Sequence, residues 1–213
     1  MDEEIAEFIG IFIGDGSLNI REHKHSYEFK FTGNPRDEVP YFDCHVSKLA
    51  SGILSRSIKT KILDCGRSVG LYFCSKEFAG YLATLGIKSG PKAERITIPP
   101  LILKNRRWAI ACLRGVFDTD GCFTLKKNGK YPVITFGMKN KNLLIQMGGV
   151  LKQISIRYCL CFDVPYFDPR LGKTYTKHYL SINGAENVAK WFDLVGSNNP
   201  KILKKYQGYK SLL

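Results

Sequence analysis

The segments Glu7-Phe8-Ile9-Gly10-Ile11-Phe12-Ile13-Gly14-Asp15-Gly16 and Cys112-Leu113-Arg114-Gly115-Val116-Phe117-Asp118-Thr119-Asp120-Gly121 are two versions of one pattern. Gly10 aligns with Gly115 and Asp15 with Asp120, an offset of 120 − 15 = 105 residues in a chain of 213. Self-similarity at half the chain length marks a duplicated unit. Small residues recur at every fourth position, Ala6, Gly10 and Gly14 in the first copy and Ala111, Gly115 and Thr119 in the second. Positions four apart share one helix face, and small side chains there let two backbones approach closely. Glycine inside a helix costs about 1 kcal/mol relative to alanine, so Gly10 and Gly115 need a packing reason. Contact of one repeated helix with the other supplies it.

The residues downstream of each copy repeat as well. Leu18 and Ile20 alternate with Asn19 and Arg21, and Tyr27, Phe29 and Phe31 alternate with Glu28 and Lys30. In the second half Phe123 and Leu125 alternate with Thr124 and Lys126, and a returning strand runs from Tyr131 to Phe136. Period-two alternation is the mark of hairpins with one buried face. Helical stretches are expected over 37–55 and 141–154, further strands over 59–75 and 157–182, and short helices over 76–85 and 185–194, with a linker around 88–100. The fold class is therefore α+β. Two pseudo-symmetric α-β-β-α-β-β-α modules, residues 1–98 with the linker and residues 99–213, should meet through the repeated helices.

If those helices pack as a pair, Asp15 and Asp120 end side by side. A carboxylate is disfavoured at the negative helix C-terminus, and a second carboxylate beside it compounds the cost. A divalent cation resolves both, and Mg²⁺ suits two carboxylates completed by phosphate oxygens and water. Gly14 and Thr119, one residue upstream, are counted at the same metal. Mn²⁺ is expected to substitute, and Ca²⁺ to allow binding without turnover. Gly16 and Gly121 are read as the left-handed residues that end each helix.

Composition agrees with a nucleic-acid partner. The chain carries 32 Lys and Arg against 19 Asp and Glu, a net +13, and the basic residues are spread along its whole length. Such a distribution suits a folded surface that meets phosphates at many points. Seven cysteines, an odd number without a CxxC pair, give no disulfide framework or zinc site. No apolar run approaches the roughly 18 residues of a membrane span, and the Asp2-Glu3-Glu4 start is wrong for a secretion signal. A soluble intracellular protein is expected, in a prokaryotic cytoplasm or an organelle, with no membrane partner.

Phe8 to Gly16 and Leu113 to Gly121 resemble, position by position, the LAGLIDADG motif of homing endonucleases and related maturases, and the element order extends the resemblance over nearly the whole chain. The resemblance implies a monomeric, intron-homing type of DNA endonuclease whose motif helices form the interface between two domains. It implies that Asp15 and Asp120 bind metal at the scissile phosphates. The antiparallel sheets would form a saddle along the major groove of a long asymmetric double-stranded target, cut across the minor groove to leave short 3′ overhangs. The sequence departs at the sixth motif position, Ile13 in one copy and Asp118 in the other. Asp118 is expected to cap a helix or face solvent, and stays open as a further metal contact.

The resemblance also points to a lysine in each module that approaches the active site. Pro91-Lys92 and Pro200-Lys201 fill that place, 77 and 81 residues beyond their aspartates, so Lys92 and Lys201 are read as catalytic. Candidate DNA contacts are Asn19, Arg21, Glu28 and Lys30 in one half and Thr124 and Lys126 in the other, with Lys59, Lys61, Arg157 and Lys177 extending the surface. These residue types match base edges in the major groove: Arg and Lys guanine, Asn adenine, Glu cytosine. His23 and His25 lack the partners of a metal site and are read as phosphate contacts or exposed. An intron RNA maturase and a non-cleaving DNA-binding regulator remain the alternatives on the same fold. Loss of one aspartate would favour either, and both are present. An intein is disfavoured by the Met1 start and the Ser211-Leu212-Leu213 end.

Overall fold

In the computed structural model, which describes residues 1–169 and 172–212, the chain is built twice over. The first unit opens with α1 (Glu3–Asp15), capped by the Asp2 carboxylate on Ile5 N. It continues through β1 (Gly16–Arg21), β2 (Ser26–Gly33), α2 (Val39–Tyr41), a π-helical turn over Phe42–Val46, α3 (Ser47–Ile53), β3 (Lys61–Leu63), β4 (Ser68–Cys74) and α4 (Lys76–Thr84). After an irregular segment and the short α5 (Pro100–Leu103), the second unit runs α6 (Arg106–Asp120), β5 (Gly121–Lys126), β6 (Tyr131–Met138), α7 (Lys141–Gln153), β7 (Cys159–Asp168), β8 (Lys173–Asn183) and α8 (Ala185–Leu194). A further helix, α9 (Pro200–Lys210), lies beyond the expected module pattern. Asn199 as cap and Pro200 at its first turn are nevertheless ordinary start signals.

Each unit forms one antiparallel four-stranded sheet, ordered β1-β2-β4-β3 and β5-β6-β8-β7. The first hairpins share a register: Gly16 pairs with Phe31 and Gly121 with Phe136, both members displaced by 105 residues. The next pairing breaks the repeat, because Phe31 opposes Leu71 whereas Phe136 opposes Leu180, a displacement of 180 − 71 = 109. The four additional residues lengthen the second sheet: β7 and β8 span 10 and 11 residues against 3 and 7 for β3 and β4. A bulge between Cys161 and Val164 lets the long β7 stay paired.

One side of each sheet is buried under helices. Phe29, Phe31 and Phe73 pack with Phe8, Phe12 and Phe78, and Phe136 packs with Phe117 and Trp191. α1 and α6 lie at the centre with their glycines against each other's backbone. A Cβ on Gly10 would come within 3.1 Å of Cys112 Cα, and one on Gly115 within 2.7 Å of Ile11 N. Both lie inside van der Waals contact, so a side chain at either position would force the two helices to shift apart.

Candidate active site

The pairing of α1 with α6 brings their C-terminal turns together. A Cβ on Gly14 would meet Thr119 Cβ at 2.7 Å and Asp120 Oδ2 at 3.4 Å, which places the Asp120 carboxylate beside the first helix. Burial, then the Asp120 charge, then Glu38 push the Asp15 carboxyl up to about 7, against the pull of Lys92. Burial also raises Asp120, with Lys92 opposing. Two adjacent acids in a desolvated place are the arrangement that a cation, or a proton, must relieve.

The helix ends differ from the expected left-handed stop. Gly16 has φ −79° and ψ 153°, Gly121 φ −83° and ψ 156°, both extended. Glycine is required for space, because a Cβ at these positions would lie 2.7 Å from Phe12 Cα and 2.9 Å from Phe117 Cα. The chain therefore leaves each helix straight into a strand.

Lys92 and Lys201 are placed differently. Lys92 reaches from the irregular segment to the end of α1, where its Nζ donates to the carbonyls of Phe12, Ile13 (2.7 Å) and Gly14 (2.6 Å). A cation at a helix C-terminus is where the dipole favours it. Burial lowers the ammonium to about 8 while Asp120 and Asp15 hold it up. The Gly14 carbonyl thus faces an ammonium. Lys201, at the first turn of α9, pairs with Asp37 at 2.6 Å, and that bond raises its pKa. Thr119, the counterpart of Gly14, turns its hydroxyl back to the carbonyls of Gly115 (3.0 Å) and Val116 (3.1 Å).

Asp118 neither caps a helix N-terminus nor faces solvent. It is 2% exposed, accepts from Ser197 Oγ and from Asn198 N (2.8 Å), and burial raises it to about 7. It anchors the loop that leads into α9. Sequence reasoning also missed Glu7, 4% exposed in the middle of an apolar helix. It accepts from Arg114 of α6 (Nη2 2.7 Å), from Asn198 Nδ2 (2.7 Å) and bonds His45 Nε2 (2.6 Å). Burial would raise this carboxyl, but hydrogen bonds from His45 and Arg114 outweigh it and hold it below the usual value. A charged residue on a buried helix was the available signal.

The outer sheet faces carry most of the candidate DNA contacts. Cross-strand register puts Asn19 opposite Glu28, Lys30 opposite Tyr72, and Lys61 opposite Gly70, all on the side away from the core. Arg21 lies 3.5 Å from Glu28, and Lys30 bonds Asp64. On the second sheet Thr124, Lys126 and Lys177 share the outer face, with Lys177 Nζ over the Tyr166 ring at 3.6 Å. Lys59 precedes β3 and Arg157 precedes β7, where Glu186 of α8 holds it at 3.3 Å, so neither stands in the strand rows. His25, at φ 48°, ends a 3-10 turn over Glu22–Lys24 at the exposed tip of the first hairpin, with His23 inside it.

Two antiparallel sheets on a central helix pair ending in abutting carboxylates match solved structures over nearly the full chain. The homing endonuclease I-DmoI in complex with DNA and Ca superposes with a TM-score of 0.67 at 19% identity, covering 96% of this chain and 97% of that one. Its complex with DNA and Mn gives 0.64 at 21%, covering 91% and 96%. The fold is that of the LAGLIDADG homing endonucleases. Residues 107–196 match the sequence family described as a LAGLIDADG-like domain. The N-terminal LAGLIDADG domain of WhiA shares the architecture with a TM-score of 0.58 at 13% identity, covering 91% of this chain and 81% of that one. Among curated proteins, the replication factor C small subunit of Methanocaldococcus jannaschii is 27% identical over 206 residues, 96% of this chain and 10% of that protein. An uncharacterised protein of the same organism is 22% identical over 166 residues, 73% of this chain and 56% of its own length. The chain thus spans about a tenth and just over half of these two relatives.

No three Asp, Glu, His or Cys side chains among the described residues converge on one point as a closed metal cage. Two neighbouring buried carboxylates without a cage suit a divalent ion such as Mg²⁺, which keeps water and needs few protein ligands. None of the helices described is long and apolar enough to cross a membrane.

Proposed function

We propose that the chain is a site-specific, metal-dependent endonuclease of the homing type that cuts both strands of a long asymmetric DNA target as a monomer. The observation that carries this reading is the pair of buried carboxylates, Asp15 and Asp120, side by side at the seam of two sheets with polar and basic outer faces. A non-cleaving binder has no use for two desolvated acids that repel each other, whereas phosphodiester hydrolysis does. A divalent ion at these acids would supply Lewis acidity toward the scissile phosphate oxygens. Asp15 and Asp120 would hold and orient the attacking water on each strand. Lys92, its three donors engaged by carbonyls, contributes a fixed positive charge beside both acids as negative charge grows on the phosphate. Modules 1–98 and 99–213 would each serve one strand. Asn19, Arg21, Glu28, Lys30 and Lys61 would face one half-site, and Thr124, Lys126 and Lys177 the other.

The test is selection of cleaved sequences from a randomised duplex library with Mg²⁺, followed by Asp15→Asn and Asp120→Asn on the selected site. Both variants should lose double-strand cutting while retaining binding, and Ca²⁺ should permit binding alone. Robust cutting by either variant, or affinity that is flat between about 50 and 200 mM salt, overturns the reading.

A further inference from the structure

The helix that lies outside the repeated pattern has two dissimilar sides. On one, α9 buries Ile202 and Tyr209 and stacks Tyr206 on Phe192 of α8 at 3.6 Å between ring centroids, with Phe123 of β5 edge-on to both tyrosines. These contacts fix the helix along β5, an end strand of the second sheet. The other side carries Lys201, Lys204, Lys205 and Gly208, whose steps of three and four residues put them on one face. Lys201 is held by Asp37. Lys204 and Lys205 are exposed, and α9 contains no Asp or Glu to neutralise them.

Between this face and β5 runs a groove of about 490 Å³, bounded by Phe123, Thr124, Leu125, Lys205, Gly208 and Tyr209. Thr124 belongs to the exposed row of the sheet, so the groove opens beside the surface that faces DNA in the endonuclease reading. Its floor is apolar and its rim is basic. That combination matches a sugar-phosphate strand, in which deoxyribose presents carbon and phosphate presents charge. A Cβ on Gly208 would meet nothing within 4 Å, so packing does not require glycine there, although glycine inside a helix is destabilising. Its missing side chain keeps the groove clear. In the first unit the matching place is taken: the irregular segment before α5 lies along β1, where Gly90 N donates to Leu18 O at 3.1 Å. Phe123, 105 residues beyond Leu18, bounds the open groove instead.

Taking its partner from the endonuclease reading, we propose that α9 and the edge of β5 form a seat for one sugar-phosphate strand of the duplex. Lys204 and Lys205 meet its phosphates, and the groove floor meets its sugars. The seat fixes the position of the duplex on the second module and reads no bases. Because the first module fills the equivalent place with its own chain, the anchorage is one-sided.

Binding of a random-sequence duplex, followed by fluorescence anisotropy in Ca²⁺ over a salt series, tests the seat without cleavage. Lys204→Glu combined with Lys205→Glu should weaken binding by about tenfold or more and lower the salt slope by about 2, as expected for two lost phosphate contacts. The loss should be the same on a target selected for cleavage. Lys204→Gln with Lys205→Gln, which keeps good helix formers, should lower the slope likewise. Lys48→Glu with Lys152→Glu places the same charge change on α3 and α7 and should leave the slope near its original value. Gly208→Gln should raise the melting temperature, because a helix former replaces glycine in open space, and yet weaken binding. A purely structural role would not move the two in opposite senses. Unchanged affinity and slope in both Lys204 and Lys205 double variants overturns the proposal, as does an equal loss in the Lys48 and Lys152 control or a loss confined to one of the two duplexes. Weakened binding by these variants of a chain that cuts no DNA would leave the seat standing and remove the endonuclease reading. Full cutting with undiminished binding by the same variants would remove the seat alone.

Discussion

At the C-terminus of α1 the last carbonyls are closed by an ammonium, Lys92 Nζ, whereas at the C-terminus of α6 a neutral amide takes that place, Asn199 Nδ2 donating to the Asp118 carbonyl at 2.9 Å. Other matched positions diverge as well. Glu7 of α1 corresponds to Cys112 of α6, the first an ionised hub for three donors, the second a thiol that burial pushes up to about 12. Ile13 corresponds to Asp118. Shared by the halves are Gly10 with Gly115, Phe12 with Phe117, and the first hairpin register. The halves agree where one helix touches the other's backbone and differ where a side chain reaches a polar partner. Close packing tolerates no variation in volume, while a polar partner can be exchanged if its whole set changes with it.

The comparison is broken most severely at Glu7. Glu7→Leu strands Arg114 in a partly buried position and should cost about 3–5 kcal/mol in denaturant unfolding. Cys112→Ala at the matched position should cost about 1 kcal/mol, the scale of a small buried group. Equal losses would mean that the hub contributes no more than packing.

The lysines come next. Lys92→Met should slow cleavage by about 10², the scale of one electrostatic stabiliser, on both strands, because Lys92 stands beside both acids. Lys201→Met, which removes a partly exposed pair with Asp37, should have a smaller effect, confined to the strand of the first half-site. Single-turnover assays with each strand labelled separate these outcomes, and equal losses would erase the distinction.

Gly10→Ala and Gly115→Ala sharpen the symmetric part. Each should cost about 1–3 kcal/mol by overpacking, and the two melting temperatures should fall together. A mild loss at one and a severe loss at the other would show that the seam is lopsided.

A last prediction concerns protons. Asp15 and Asp118 titrate near 7 in the fold, both chiefly through burial, against an ordinary value of 3.8. The native state therefore holds more protons than the unfolded chain between about pH 4 and 7, so stability is greatest at the acid end and falls as pH rises through that window. With chelator present, unfolding midpoints should decline from pH 5 to 8. Asp118→Asn should flatten part of the slope, and Mg²⁺ should offset the Asp15 part alone.

Much of the molecule is legible from local pattern. Helix period, strand alternation and the repeated Asp-Gly locate both sheets and both acids, since each signal is carried by residues close in sequence. Glu7 with Arg114 and Asn198, or Asp118 with Ser197, depend on contacts between residues up to 191 positions apart. Repeat spacing finds Lys92, but its bond to the α1 carbonyls depends on how the irregular segment returns to β1, where Gly90 N bonds Leu18 O at 3.1 Å. A left-handed turn is the ordinary meaning of glycine after a helix, and at Gly16 and Gly121 that expectation fails. The rings and backbone of Phe12 and Phe117, close over them, show that space is the reason.

The reciprocal glycine seam also bears on how such a chain can be recombined. Gly10 lies against the Cys112 backbone while Gly115 lies against that of Glu7 and Ile11, so each helix is the mould of the other. A half taken from another lineage would be accepted only if it presented glycine at the same height. The Glu7–Arg114 pair adds a further check, for a copy of either half meeting itself would set Glu7 against Ile9 or Arg114 against Cys112 at that level and leave the charge without its partner. Chimeras should therefore be made by exchanging outer strands while both central helices are kept as a matched set, and a simple cut in the segment between α4 and α5 should fail.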